Sequence, residues 1–159
     1  MHKPEKADLE KDSMLIKTKD FDYIDVSEND VISFPNGIYA FENTKKFVLL
    51  KNPDTQWMMH LQSFEKEDPR FILLDPYMFI EGYKPVLPED AFNALGTTDI
   101  NDLSFFVIAV IPDDIKDMTV NLKSPVVINF KERLGAQIIL ENKDYSVRTR
   151  LFSDEGTGE

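Results

Sequence analysis

Two histidines and no cysteine bound the chemistry available to this chain. Without cysteine there is no thiolate nucleophile, no disulfide and no Cys-ligated zinc or iron–sulfur centre. His2 lies in a charged N-terminal stretch, and His60 lies in the strand-like run Trp57-Met58-Met59-His60-Leu61. A lone histidine in such a run is ordinarily a strand residue with satisfied hydrogen bonds. The chemical alternative is a general base. No histidine pair stands at ligand spacing and no Asp-x-Asp-x-Asp-Gly loop occurs. The Gly-x-Gly-x-x-Gly, Gly-x-x-x-x-Gly-Lys and Gly-x-Ser-x-Gly patterns are missing too, so no phosphate cradle or nucleophile elbow is encoded. Neither a cofactor nor a metal is expected.

Carboxylates are the other chemical resource. Glu65, Glu67, Asp68 and Asp75 crowd one region, with Lys66 and Arg70 among them. Such a cluster is ordinarily a solvated turn. Functionally it would be an acidic docking surface for a basic partner; the alternative is a small β-barrel hydrolase or isomerase using a carboxylate pair or His60. Two apolar features suit binding rather than catalysis. Trp57, Met58 and Met59 are residue types over-used at interface anchors, although a core strand would use them equally. The turn segment Phe34-Pro35-Asn36-Gly37-Ile38-Tyr39-Ala40-Phe41 holds more large apolar side chains than loops normally carry. It must fold back on the core or offer a contact surface, with Phe34, Pro35, Ile38 and Phe41 as candidates.

These residues need a scaffold, and the composition supplies one. The chain has 159 residues, 42% of them hydrophobic, enough for one domain with a real core. Its net charge is -11. Residues 1–13 and 153–159 are polar stretches expected to be disordered tails, and they account for one and three of the negative charges, leaving seven on the 14–152 body. An acidic chain repels nucleic acid and anionic membrane, so direct binding to either is not expected. The longest apolar run, from Phe105 to Ile111, ends at Pro112, far short of the ~18 residues that span a bilayer. No apolar stretch of signal-peptide type follows the N-terminal lysines. A cytoplasmic monomer is the expectation.

Short β-branched and aromatic runs predict strands at 14–18, 23–26, 31–34, 47–50, 57–63, 71–74, 105–111, 118–122, 126–130 and 137–140. Turn formers separate them, including Asn36-Gly37, Asp68-Pro69, Asp75-Pro76 and the loop around Gly135. The 126–130 and 136–140 runs predict an antiparallel hairpin across five linking residues. One helix is predicted at 88–95, with Pro88 at its first turn, acids after it and Gly96 past its end. A further turn is predicted near 99–103. The fold class is therefore mainly β: a small antiparallel, barrel-like domain with one or two short helices.

Several segments, taken in order, resemble the FliW family of flagellar assembly factors. They are Asp30-Val31-Ile32-Ser33-Phe34-Pro35-Asn36-Gly37-Ile38, Ala40-Phe41-Glu42, Phe47-Val48-Leu49-Leu50 and His60-Leu61-Gln62-Ser63. Phe71 to Asp75-Pro76, Thr119 to Leu122, Pro125 to Asn129, Gly135 to Leu140, and Tyr145 with Arg148 continue the likeness. The resemblance runs from about Met14 to Leu151. It implies a non-enzymatic β-barrel-like protein that binds flagellin and antagonises CsrA, a basic RNA-binding repressor of flagellin translation. On that reading Glu65, Glu67, Asp68 and Asp75 face the basic partner, and Phe34, Pro35, Ile38, Phe41, Trp57 and Met59 face flagellin. The chain departs from the family pattern at Asp22 and at Tyr39-Ala40, where glycine is usual. A positive φ at Ala40 would then carry strain.

Overall fold

Alternation within the strands explains the architecture. A computed structural model describes residues 13–152, so the terminal stretches 1–12 and 153–159 fall outside the described residues. Ser13, read with the N-terminal tail, is the first residue of β1. Strands β1 (Ser13–Thr18) and β2 (Asp22–Ser27) form a separate antiparallel hairpin. Seven further strands close a ring: β3 (Val31–Ser33), β4 (Lys46–Lys51), β5 (Met58–Ser63), β6 (Arg70–Leu74), β7 (Ser104–Val110), β9 (Val126–Asn129) and β10 (Leu134–Gln137). The ring runs β3-β4-β5-β6-β7-β9-β10 and returns to β3. Two short strands, β8 (Thr119–Val120) and β11 (Thr149–Arg150), add beside β7.

The expected barrel is present, but its pairing is not wholly antiparallel. β10 meets β3 in parallel at Leu134 and Ser33. Parity requires this: a closed ring with an odd number of strands cannot alternate direction at every seam. The predicted hairpin also differs. Its second strand begins at Leu134, which pairs with Asn129, so the link is the four residues 130–133. Arg133 sits at φ 55 and its N–H bonds to the Phe130 carbonyl at 3.3 Å, which turns the chain early. Gly135, expected in the loop, is instead a strand residue. A Cβ there would stand 2.4 Å from Cζ of Phe34, so only glycine lets this backbone cross the ring.

Barrel strands are buried on both faces, hence their nearly continuous apolar runs. Phe47, Leu61, Leu73, Phe106, Val126 and Ile128 fill the interior. Their neighbours Leu74, Val107 and Val127 point outward, under a layer built from Tyr83, Ala91, Leu95, Met118 and Leu122. On another outer face Val48 is covered by Ile16 and Val26 of the hairpin.

Two short helices occur among the described residues. The predicted one is α2 (Glu89–Ala94), with Pro88 at the N-cap and Gly96 at φ 71 past its end. The turn near 99–103 is a single 3-10 turn capped by Asp99. The other helix, α1 (Pro76–Phe79), was read from sequence only as the turn former Asp75-Pro76. Asp75 caps it by accepting the Tyr77 N–H at 2.9 Å, and proline occupies its first turn.

Candidate functional site: partner-binding surfaces

His60 shows how strand and hairpin meet. It is 4% exposed and lies below the tip of the β1–β2 hairpin, with Phe21 edge-on at 4.8 Å. The Asn52 side-chain oxygen Oδ1 accepts backbone N–H groups from Asp54 and Thr55, which fixes the amide orientation. Its amide nitrogen therefore donates to His60 Nε2 at 3.1 Å. The hydrogen on Nδ1 is then donated to Asp20 Oδ2 at 2.9 Å. Both ring nitrogens are engaged in structural bonds, and the arrangement aims neither at a nucleophile. Arg70 completes the latch, reaching Asp20 through Nε at 2.6 Å and Nη2 at 3.2 Å. Burial alone would raise the Asp20 carboxyl, but bonding and charge from Arg70, then His60, outweigh it and hold it below the usual carboxylate range. Buried Gln62 reinforces the clamp by accepting the Lys19 N–H.

The segment 34–41 divides into a buried and an exposed half. Phe34 is 0% and Ile38 2% exposed, so these two candidates pack into the barrel interior and present nothing to a partner. The physical reason is the tight turn at Gly37, which folds both side chains inward. Pro35, Tyr39 and Phe41 remain on the surface, and Phe41 leans edge-on against Phe71 at 5.3 Å. Ala40 does adopt φ 75, and Asp22 adopts φ 60. The left-handed conformation is thus present at both positions where the resemblance led glycine to be expected. Asp22 carries it more easily than Ala40, because a short polar side chain tolerates this region.

Trp57 immediately precedes β5 and is half-buried against the outer core layer. Its ring meets Phe79 of α1 edge-on at 5.9 Å. Tyr77, Met78 and Phe79 beside it are exposed, giving an apolar patch that sequence reasoning missed. The legible signal was Asp75-Pro76, an N-cap and first-turn pair directly before three large apolar residues. Met59 does not join this patch. It packs against the interior cluster and lines a cleft of about 620 Å³ between hairpin and barrel.

The acidic candidates do not form one site. Glu65, Glu67 and Asp68 are exposed in the β5–β6 link, whereas Asp75 follows the far end of β6. Seven residues of extended chain separate Asp68 from Asp75, roughly 20 Å. Asp68 is paired with Lys19 at 2.9 Å, which leaves Glu65 and Glu67 to carry the loop's outward negative charge. Among the described residues, no group of three or more His, Cys, Asp or Glu side chains could hold a metal ion. No helix of the described residues is long and apolar enough to cross a membrane.

Comparison with known proteins gives a consistent result. The family model described as FliW protein matches residues 15–151. A flagellar assembly factor FliW from Caldicellulosiruptor bescii is 38% identical over 145 residues, covering 91% of this chain and 95% of that protein. One from Thermoanaerobacter pseudethanolicus is 39% identical over 142 residues, covering 89% and 95%. A crystal structure of the flagellar assembly factor FliW superposes with a TM-score of 0.82 at 35% identity, covering 88% of this chain and 98% of the other.

Proposed function

The chain belongs to the FliW family of flagellar assembly factors, and from that premise we propose that it binds flagellin and antagonises the translational repressor CsrA. It acts by occupancy, without turnover, as a cytoplasmic monomer. Flagellin held by the protein keeps it from CsrA. Export of flagellin frees it to capture CsrA and lift repression.

The observation that carries this reading is the separation of an acidic surface from apolar ones on one rigid barrel. Glu65 and Glu67 stand at one end of β6, while Trp57 and α1 gather at the other. An acidic protein meeting a basic RNA binder gains association rate by steering, and this chain carries -11. Bound beside an RNA site, the same field disfavours incoming phosphate. The exposed aromatic surfaces, at Phe41 and at Trp57, suit flagellin segments.

Titration of the full chain with CsrA and with flagellin, separately and in competition, tests the reading. Saturable binding to both is expected, and failure to bind either refutes it. The electrostatic part has its own test. Charge reversal at Glu65, Glu67 and Asp68 should let RNA rebind while CsrA stays occupied. If the triple variant still blocks RNA as well as wild type, the field is not what excludes it.

A further inference from the structure

The β1–β2 hairpin stands apart from the barrel sheet, so each of its strands has one partner and one open edge. In an antiparallel pair, every second residue turns its N–H and C=O away from the neighbouring strand. Along β1 those groups meet no other backbone. Ser13–Thr18 form a ladder with β2 and make no further backbone bond among the described residues. Such a row of donors and acceptors is a template for another strand.

The hairpin's two edges are not equal. β2 carries Asp22 and Asp25, charges of the kind that blunt an edge, whereas β1 runs Met14-Leu15-Ile16 with only Lys17 charged. Met14 is 44% and Leu15 64% exposed. Beside β1 lies a groove of about 560 Å³, with Met14 to Lys17 as one wall and Phe64 to Glu67 as the other. The buried Gln62 amide holds both walls. Its oxygen accepts the Lys19 N–H at 3.1 Å, just past the end of β1. Its nitrogen donates to the carbonyls of Lys66 and Glu67 at 3.0 and 2.9 Å. The groove is thus set before a partner arrives, which lowers the ordering cost of filling it.

Charge within the groove is mixed. Glu65 and Glu67 share their wall with Lys66, and Lys17 lies over the Tyr23 ring at 5.9 Å. Backbone pairing and apolar contact therefore select the occupant. A helix satisfies its own backbone and would leave the row unpaired. A second copy of the chain would bring a net charge of -11 against another -11.

We propose that the open edge of β1 accepts an extended segment of a partner protein as an added strand. Side chains of that segment alternate. One set lies on the barrel side with Met14, Ile16 and Phe64, and calls for apolar residues. The other set lies beside Leu15 and Lys17 toward water. This rests on the reading that the protein works by holding protein partners, and it says how one surface grips them.

The probe is an eight-residue peptide alternating valine with threonine, added to the full chain. Two further forms carry N-methyl groups on the valines only or on the threonines only, which blocks one edge of the peptide at a time. Saturable binding is expected, kept by one methylated form and lost by the other. Hydrogen exchange should show the β1 amides that face away from β2 unprotected in the free chain and protected by the peptide. Met14→Asp should weaken binding about tenfold, with its urea midpoint showing that the fold is intact. Equal behaviour of the two methylated forms, protection confined to residues outside β1, or full binding by folded Met14→Asp would each overturn the assignment. So would β1 amides already protected in the free chain, because the edge would then be covered by the chain itself or by a second copy. Wild-type protein that binds flagellin and CsrA yet ignores the peptide sinks only this assignment. Wild-type protein that binds neither sinks the functional reading itself.

Discussion

Replacing Asp20 by alanine should loosen the hairpin from the barrel by a calculable amount. Asp20 is the acceptor for two donors that the barrel holds in place. His60 Nδ1–H lies 2.9 Å away on a residue that is 4% exposed, so water cannot readily replace the carboxylate. Leaving such a donor unsatisfied costs about 1–3 kcal/mol. Arg70, with its side chain 22% exposed, loses a two-pronged pair but regains partial hydration, adding up to about 1 kcal/mol. The total, about 1–4 kcal/mol, corresponds to a fall in Tm of roughly 2–16 °C for a domain of this size. Urea unfolding at neutral pH measures it, and a His60→Ala, Asp20→Ala double-mutant cycle isolates the pairwise part. The pH dependence has a fixed sign. The folded Asp20 carboxyl is held below its usual value, so its contribution is complete above about pH 3.9 and lost as pH falls through the folded value. The gap between wild type and variant should stay flat near neutrality and close in acid. A gap under about 0.5 kcal/mol at pH 7 would refute the latch. A gap that persists unchanged into strong acid would refute its electrostatic basis.

Other perturbations follow from single observations. Ala40 at φ 75 carries left-handed strain of about 1–2 kcal/mol, partly offset in a glycine variant by unfolded-state entropy. Ala40→Gly should therefore raise stability by about 0.5–1 kcal/mol in urea titrations, whereas an ordinary alanine-to-glycine change would lower it. Gly135→Ala places a Cβ 2.4 Å from the buried Phe34 ring, and calorimetry should show a loss of about 1–3 kcal/mol. Trp57→Ala should weaken flagellin binding without unfolding the protein; an unchanged affinity, or a collapsed near-UV signal, removes Trp57 from that surface. Reversing Glu65 and Glu67 together should slow association with CsrA about tenfold at low salt and flatten its salt dependence, measured by stopped flow.

Much of the scaffold was legible because its signals are local. β-branched runs bounded by Asn-Gly, Asp-Pro and similar pairs located nine of the strands, and the proline-to-glycine frame from Pro88 to Gly96 located α2. Errors arose where a local signal had a nonlocal cause. Gly135 reads as a loop residue, but its lack of a side chain serves a crossing over Phe34, about a hundred positions away. Asp75-Pro76 reads as a turn and proves to open a helix, since the two share the same capping geometry.

The candidate site divides in the same way. Its residue types were available from the chain: acids at 65, 67, 68 and 75, aromatics at 34, 41 and 57, and one histidine inside a strand. Their partition was not. Phe34 and Ile38 went to the interior while Phe41 and Tyr39 stayed outside, because one tight turn assigns faces that composition leaves equal. Asp68 and Asp75, close in sequence, were sent to opposite ends of β6, and Asp20 was brought to His60 across forty residues. Strand propensity, net acidity and the absence of thiol chemistry belong to residues taken singly or in short runs, so the sequence alone determined them. Which acids are free, which aromatics meet water and where β10 rejoins β3 depend on closing the barrel, and only the tertiary structure decided them.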